Sequence, residues 1–217
     1  MRRPVGLLLL APVAFLALAG LAAGLGWIAI HLAQSADLGV VRFAAAHRSS
    51  TATYVMHRLS DLAGENSVII IVGASALVFL VFRHIVDALA VIASAAGMLL
   101  LYEVVVRWVG RPRPPVSHLE NPGGWSFPSG HVANSTAVYV AIVLAVSVSA
   151  RLPWLRPPLI LVAAVLIAGI AASRVYLGLH YPTDVAAGFL LGVCWALVVR
   201  KTVDGLALTV RSPMVRP

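Results

Sequence analysis

The sequence predicts an all-α fold, a polytopic membrane bundle with six transmembrane helices, and three observations carry that prediction. The chain of 217 residues is 60% hydrophobic and only 11% charged, whereas about a quarter of the residues in soluble domains are charged. Mostly apolar stretches recur along it, and its charges gather at the ends of those stretches. Lipid cannot satisfy backbone N–H and C=O groups, so stretches of this kind cross a bilayer as helices.

The first predicted span runs from Val5 to Ile30, the second from Asn66 to Phe82 and the third from Ala88 to Val106. The fourth covers Val132 to Ala150, the fifth Leu159 to Ala172 and the sixth Val185 to Val199. The second, fifth and sixth are short for a hydrocarbon core of about 30 Å, so their ends are expected to extend into the flanking loops. Met1-Arg2-Arg3 before an apolar run resembles a secretory signal peptide, but this run far exceeds the usual hydrophobic region of about 7–15 residues, and a retained anchor is expected. Cys194, the one cysteine, lies in the sixth span and reads as a small packing residue.

The formal net charge is +8, yet no soluble domain is available to present a basic face to nucleic acid, so the membrane is the expected partner. With the N-terminus inside, the inner segments hold Arg2, Arg3, Arg83, Arg151, Arg156, Arg200, Lys201, Arg211 and Arg216, as the positive-inside tendency requires. Both termini are then cytoplasmic, in an integral protein of the inner or plasma membrane. Arg42, Arg48 and Arg58 fall in the outer segment between spans one and two, and Arg107, Arg111, Arg113 and Arg174 cluster at the outer ends of spans three and five. That second cluster needs a reason other than topology.

With no internal repeat or flexible linker, residues 1–217 read as one domain, and nothing in them specifies an oligomeric state. Residues 31–65 carry weak helical periodicity through Val55, Leu59 and Leu62 and predict a short interfacial helix. Residues 107–130, RWVGRPRPPVSHLENPGGWSFPSG, hold too many prolines and glycines for a regular helix, and such backbone beside a membrane lines a cavity or faces water.

Three stretches meet at the outer ends. In FPSGH, residues 127–131, Ser129 suits a helix N-cap and Gly130 permits close anion approach to a helix N-terminus, although caps of this type start many ordinary helices. In SRVYLGLHYPTD, residues 173–184, His180 and Asp184 stand four apart, the spacing at which Asp184 can accept from one imidazole nitrogen and leave the other as nucleophile or base. A wet helix end is the bland alternative. GRPRP supplies Arg111 and Arg113, whose forked donors suit phosphate and also lipid headgroups. Spans three and four, and five and six, form hairpins with tips on one side, so Arg111, Arg113, Ser129, Gly130, His131, Arg174, His180 and Asp184 can share one outer pocket.

These motifs resemble the phosphatidic acid phosphatase type 2 family, whose pattern is a Lys/Arg-Pro element, Pro-Ser-Gly-His and Ser-Arg-x5-His-x3-Asp. Residues 110–114, 128–131 and 173–184 carry the resemblance, the last two at every specified position. The first departs from the pattern. The family's lysine would fall at Val106; Arg107, one residue on, can replace it or can form an ordinary helix pair with Glu103. The resemblance implies that His180, oriented by Asp184, attacks phosphorus, that Arg113, Arg174, Ser129 and the Gly130 N–H hold the phosphoryl oxygens, and that His131 protonates the leaving oxygen and then activates water. No carboxylate cluster suits Mg²⁺, so neither metal nor cofactor is expected.

The expectation is a lipid phosphatase with its pocket on the outer face and lipid tails entering laterally. Undecaprenyl pyrophosphate, phosphatidylglycerol phosphate and phosphatidic acid all fit. A lipid phosphotransferase is the enzymatic alternative. An anion transporter is the other, although its site would be expected near the midplane. Soluble vanadate-binding peroxidases share the pattern, but their architecture does not fit this composition. His31, His47, His57, His84 and His118 read as interfacial or loop residues, and Trp27, Trp108, Trp125 and Tyr181 as residues at span ends without chemistry.

Overall fold

The structure, a computed structural model, describes residues 3–121, 123–149 and 153–211. Arg2, Ala150, Arg151 and Arg216 lie outside the described residues, as do the side chains of Arg3 and Arg211. Eight α-helices follow in order among the described residues: α1 Arg3–His31, α2 Gln34–Ala46, α3 Ser50–Asp61, α4 Glu65–Val81, α5 Ile85–Val109, α6 Gly130–Ser149, α7 Arg156–Tyr176 and α8 Pro182–Arg211.

Five of them, α1 from Leu9 and the whole of α5 and α7 with most of α6 and α8, are long and apolar enough to cross a membrane. A sixth candidate is α4 counted together with α3; the 17 residues of α4 rise about 26 Å at 1.5 Å per residue. This helix continues from α3 through a 48° bend. Of the three spans expected to extend, the fifth and sixth do, α8 running well past Val199, whereas α4 by itself is no longer than the second predicted run. The charged end of α8 stays helical because Arg200 pairs with Asp204 one turn on, at 2.7 Å, and with buried Asp87 of α5.

Residues 31–65 differ from expectation. They form two helices instead of one, because Ser49, in an extended conformation, caps α3 by accepting from the Ala52 N–H at 3.2 Å. The predicted face of α3 is also corrected. Val55 and Leu62 are exposed, while Leu59 packs on α7 and the side facing the site carries Thr53, His57 and Ser60. Apolar periodicity misjudged this helix because its inner face meets polar groups.

The main core joins α1, α5, α6 and α8 through Ala19, Ala22, Met98, Leu101, Ala133, Ala137, Leu191 and Trp195. Small residues set the α6–α8 distance, as they do between membrane helices generally. A Cβ on Gly192 would lie 2.6 Å from the Ala133 carbonyl oxygen, and one on Gly188 2.7 Å from that of Ser129. The two helices therefore touch backbone to backbone beside the Pro-Ser-Gly-His turn.

The connector from 110 to 129 is stitched to the α7–α8 turn. Leu119 N–H donates to Leu177 O at 3.1 Å and Ser129 N–H to Asp184 O at 3.0 Å, while Ser126 N–H closes back onto Arg111 O at 2.8 Å. The start of α6, the end of α5 and the α7–α8 turn are thus held together at one end of the bundle.

Candidate active site

His180 sits in the α7–α8 turn and is buried, its ring fixed from both sides. Nδ1 lies 2.6 Å from the Ser126 carbonyl oxygen, which can only accept, so Nδ1 carries the proton. Nε2 lies 3.3 Å from Arg113 Nη1, which can only donate, so Nε2 presents its lone pair. Burial lowers the pKa of His180 below the usual histidine value, against an opposing pull from Asp184 and with further lowering by Arg113 and Arg174. The result is a neutral imidazole with one tautomer and an unprotonated nitrogen turned toward guanidinium.

Asp184 does not contact the ring as the i, i+4 spacing suggested. Its Oδ2 is 3.6 Å from Nδ1, beyond hydrogen-bond length. That oxygen instead accepts from Ser126 Oγ at 2.5 Å and from the Tyr181 N–H at 2.9 Å. Asp184 therefore fixes Ser126, whose carbonyl fixes His180, and adds a negative charge close to the ring. Ser126 escaped the sequence reading because its contact with His180 is made by backbone, which residue type does not reveal.

Arg111 also departs from expectation. It is fully buried, with Nη1 on Asp184 Oδ1 at 2.6 Å and on Thr183 Oγ1 at 2.8 Å. Nη2 donates to Asp37 Oδ2, Gln34 Oε1 and Ala29 O, and the guanidinium lies 3.9 Å over the Tyr181 ring. Both its terminal nitrogens are occupied by protein and only its buried Nε lacks a partner, so it braces Asp184 and has no free fork to offer phosphate. Tyr181, expected at a span end, is 1% exposed beneath it.

Arg107 stays outside the cluster. It is exposed and bonds Glu103 at 2.7 Å, the helix pair that competed with a ligand role. One residue of register carried it off the face that Val106 occupies, and Val106 is buried.

Arg113 and Arg174 remain as the cationic pair. Arg113 donates to Leu179 O at 2.7 Å and Gly123 O at 2.6 Å, and burial lowers its pKa somewhat. Arg174, in the last turn of α7, is 5% exposed and bonds Ser60 Oγ and, at 2.8 Å, Glu120 Oε2. Among the described residues, Arg113 Nε, Arg174 Nε and Ser129 Oγ are buried without a hydrogen-bond partner. Arg111 Nε is unpartnered as well, and unmet buried donors on the residues at this end of the bundle favour an anion, because an unmet buried polar group is costly.

Glu120 was not foreseen, although it is the only acidic residue of the 107–130 connector. Burial raises its pKa, but the Arg174 charge and hydrogen bonds from Arg174, Ser60 and His57 outweigh this and hold it below the usual carboxylate value. His57 joins the same cluster at 3.2 Å from Glu120 Oε1, so it is not a bystander. Of the other histidines read as bystanders, His118 contacts Pro114 O at 2.9 Å, while His84 stands 3.8 Å from Asp87, near the α4–α5 turn. Trp27, Trp108 and Trp125 are exposed, as expected.

His131 is the second residue of α6 and half-buried, within electrostatic range of His180, Arg174 and Arg113. The Ser129 hydroxyl makes no capping bond, and a Cβ on Gly130 would lie 2.9 Å from the Tyr102 ring, so that glycine admits Tyr102 as well as leaving backbone accessible. A cavity of about 270 Å³ opens beside His131, lined by Tyr102, Gly130 and Asn134 at the site and by Val68, Ile69 and Leu99 on its apolar side.

A sequence model of the PAP2 superfamily matches residues 85–206. Phosphatidylglycerophosphatase B of Bacillus subtilis is 32% identical over 173 residues, covering 77% of this chain and 83% of its own. Decaprenylphosphoryl-5-phosphoribose phosphatase of Mycobacterium tuberculosis is 31% identical over 121 residues, covering 52% and 62%. The solved transmembrane PAP2-type phosphatidylglycerolphosphate phosphatase of Bacillus subtilis superposes with a TM-score of 0.75 at 28% identity, over 98% of this chain and 99% of that one. LpxE of Aquifex aeolicus shares the fold, with a TM-score of 0.62 at 19% identity over 76% and 94%. With the family pattern covering more than half of its length and the motifs gathered at one end of an apolar bundle, this chain belongs to the PAP2 superfamily and is a multi-pass membrane phosphatase that hydrolyses phosphate esters.

Proposed function

We propose that the protein hydrolyses a lipid phosphate monoester through a phosphohistidine at His180, with phosphatidylglycerol phosphate as the best candidate substrate. The observation that carries this reading is the hydrogen-bond pattern of His180, which leaves Nε2 unprotonated and facing Arg113. The relative matched over most of the chain is named for phosphatidylglycerophosphate, which supports that lipid over the other two.

The Nε2 lone pair attacks phosphorus while the bond from phosphorus to the lipid oxygen breaks. His131 gives its proton to that oxygen, and the lipid leaves as an alcohol. Bound phosphate, being negative, favours the protonated form of His131 that this step needs. The phosphorylated ring of His180 is cationic, and Asp184 at 3.6 Å offsets that charge. Water then attacks phosphorus with His131 accepting its proton, the N–P bond breaks, and inorganic phosphate departs. Arg113, Arg174 and Ser129 hold the phosphoryl oxygens throughout, which is where loose phosphoryl transfer gains most.

In this reading the leaving group occupies the cavity beside His131, where Val68, Ile69 and Leu99 give an apolar flank suited to a lipid chain arriving from the bilayer. The site end is assigned to the outer face, with both termini cytoplasmic, from the distribution of arginines.

Phosphate release by detergent-solubilised protein, with chelator present, tests the proposal across phosphatidylglycerol phosphate, phosphatidic acid and undecaprenyl pyrophosphate. His180→Ala and His131→Ala are expected to lose at least about a thousandfold in rate, and quenching into alkaline detergent should trap a phosphoenzyme, stable to base and released by acid, in His131→Ala but not in His180→Ala. Full activity in either variant refutes the site. Transfer of phosphate to an added acceptor without release to water replaces hydrolysis with transfer.

A further inference from the structure

We infer that Asp37, on α2, is a positioning residue for the phosphoryl-transfer step, acting through Arg111 to set the charge that Asp184 presents to His180. The inference rests on His180 being the nucleophile. It reaches beyond the family-matched segment, since Asp37 precedes residue 85.

Asp37, Arg111 and Asp184 form a buried chain of alternating charge. Their relative exposures are 3%, 0% and 0%. Arg111 bridges the two acids, with Nη2 on Asp37 Oδ2 at 2.8 Å and Nη1 on Asp184 Oδ1 at 2.6 Å. One guanidinium and one carboxylate would have sufficed for a neutral buried pair. The chain keeps a second carboxylate and so a net charge of −1, which costs desolvation unless it is offset.

The offset is visible at Asp37. Its Oδ1 accepts the Thr183 N–H at 3.2 Å, its Oδ2 also accepts the Thr183 hydroxyl, and Gln34 shares the same Arg111 nitrogen at 2.7 Å. The Thr183 N–H belongs to the first turn of α8, so Asp37 caps from outside the helix that carries Asp184. The surplus negative charge thus ends beside the ring that turns cationic when it takes the phosphoryl group. With Asp37 neutral, Arg111 would belong wholly to Asp184, and the charge facing His180 would fall from −1 to 0.

Two near-isosteric substitutions change that charge in opposite senses. Asp37→Asn removes one negative charge, and Gln34→Glu adds one against the same guanidinium. The other groups facing His180 are Asp184 on α8, Arg113 and the Ser126 carbonyl on the connector, Arg174 on α7 and His131 on α6. All are unchanged in both variants.

The readout is the titration midpoint of His180, followed by ¹⁵N-histidine NMR of the full chain in detergent, with the resonance assigned from His180→Gln. A negative charge favours imidazolium, so Asp37→Asn should move the midpoint down and Gln34→Glu up, each by about half a unit. Asp37→Glu should leave it in place. The acid limb of kcat/KM, measured on phosphatidylglycerol phosphate, should follow the same shifts.

Midpoints that stay put in both variants would overturn the inference and leave Asp37 as an anchor between α2 and α8. Should Asp37→Asn not fold, Gln34→Glu decides alone, an upward shift supporting and a static midpoint refuting. Because the midpoint is read without turnover, absence of phosphatase activity in the wild type would be seen separately and would count against the proposed reaction.

Discussion

Replacing Gly188 with alanine tests whether the site depends on backbone contact between α6 and α8. The added Cβ would lie 2.7 Å from the Ser129 carbonyl oxygen and 3.3 Å from the Ala133 nitrogen, both backbone atoms that no rotamer change can move aside. Ordinary contact begins near about 3.4 Å, so the helices must part by about 0.7 Å at this level. Ser129 belongs to α6's entry turn, and its N–H bonds the carbonyl of Asp184 on α8. The displacement therefore opens the distance between the Ser129–Gly130 turn and the α7–α8 turn that holds His180.

A misplacement of about 1 Å can cost about a hundredfold in rate, so kcat/KM should fall roughly 10- to 100-fold, with a stability loss of about 1–3 kcal/mol from overpacking. The assay is phosphate release by monodisperse protein in detergent, compared with Gly73→Ala, where nothing lies within 4 Å of the new Cβ. Gly73→Ala should match the wild type in rate and gain up to about 1 kcal/mol from helix propensity. Wild-type activity in Gly188→Ala would refute the reasoning.

Arg107→Gln should change kcat/KM by less than about twofold, since only an exposed pair with Glu103 is lost; a loss of a hundredfold on phosphatidylglycerol phosphate would restore its ligand role. Ser126→Ala keeps the carbonyl that orients His180 but removes the hydroxyl bonded to Asp184, so kcat should drop about tenfold, whereas Asp184→Asn should drop it about a hundredfold or more, both read from steady-state kinetics. His180 must be neutral to attack, and burial lowers its pKa, so the acid limb of kcat/KM should lie below about pH 6.5, the unperturbed histidine value; a limb above that value would contradict the burial. Glu120→Gln should weaken the hold on Arg174 and lower KM for the lipid phosphate while leaving Tm near the wild-type value, as substrate-saturation curves and thermal unfolding would show.

The helical membrane fold was legible in the residues because apolar length is a one-dimensional property. A run either is or is not long enough to cross hydrocarbon, and α1, α5, α6, α7 and α8 lie where their runs predicted. The chemistry-bearing motifs were legible for a similar reason. Ser129, His131, Arg174, His180 and Asp184 lie in two short stretches, and an even number of crossings between them brings their tips to the same end.

What tertiary structure alone decided is how charges are shared in three dimensions. Spacing joined Asp184 to His180, but the fold places a backbone carbonyl between their roles and gives Asp184 to Arg111. The type of residue could not separate Arg111 from Arg113; burial did, since the first is enclosed by Asp37, Gln34 and Asp184 while the second faces the imidazole. Asp37, His57 and Glu120 come from segments with no motif, and only packing reveals that they meet the site. Hydrophobic length acts along the chain and can be read from it, whereas an electrostatic partner is chosen by distance through space, which sequence order does not record.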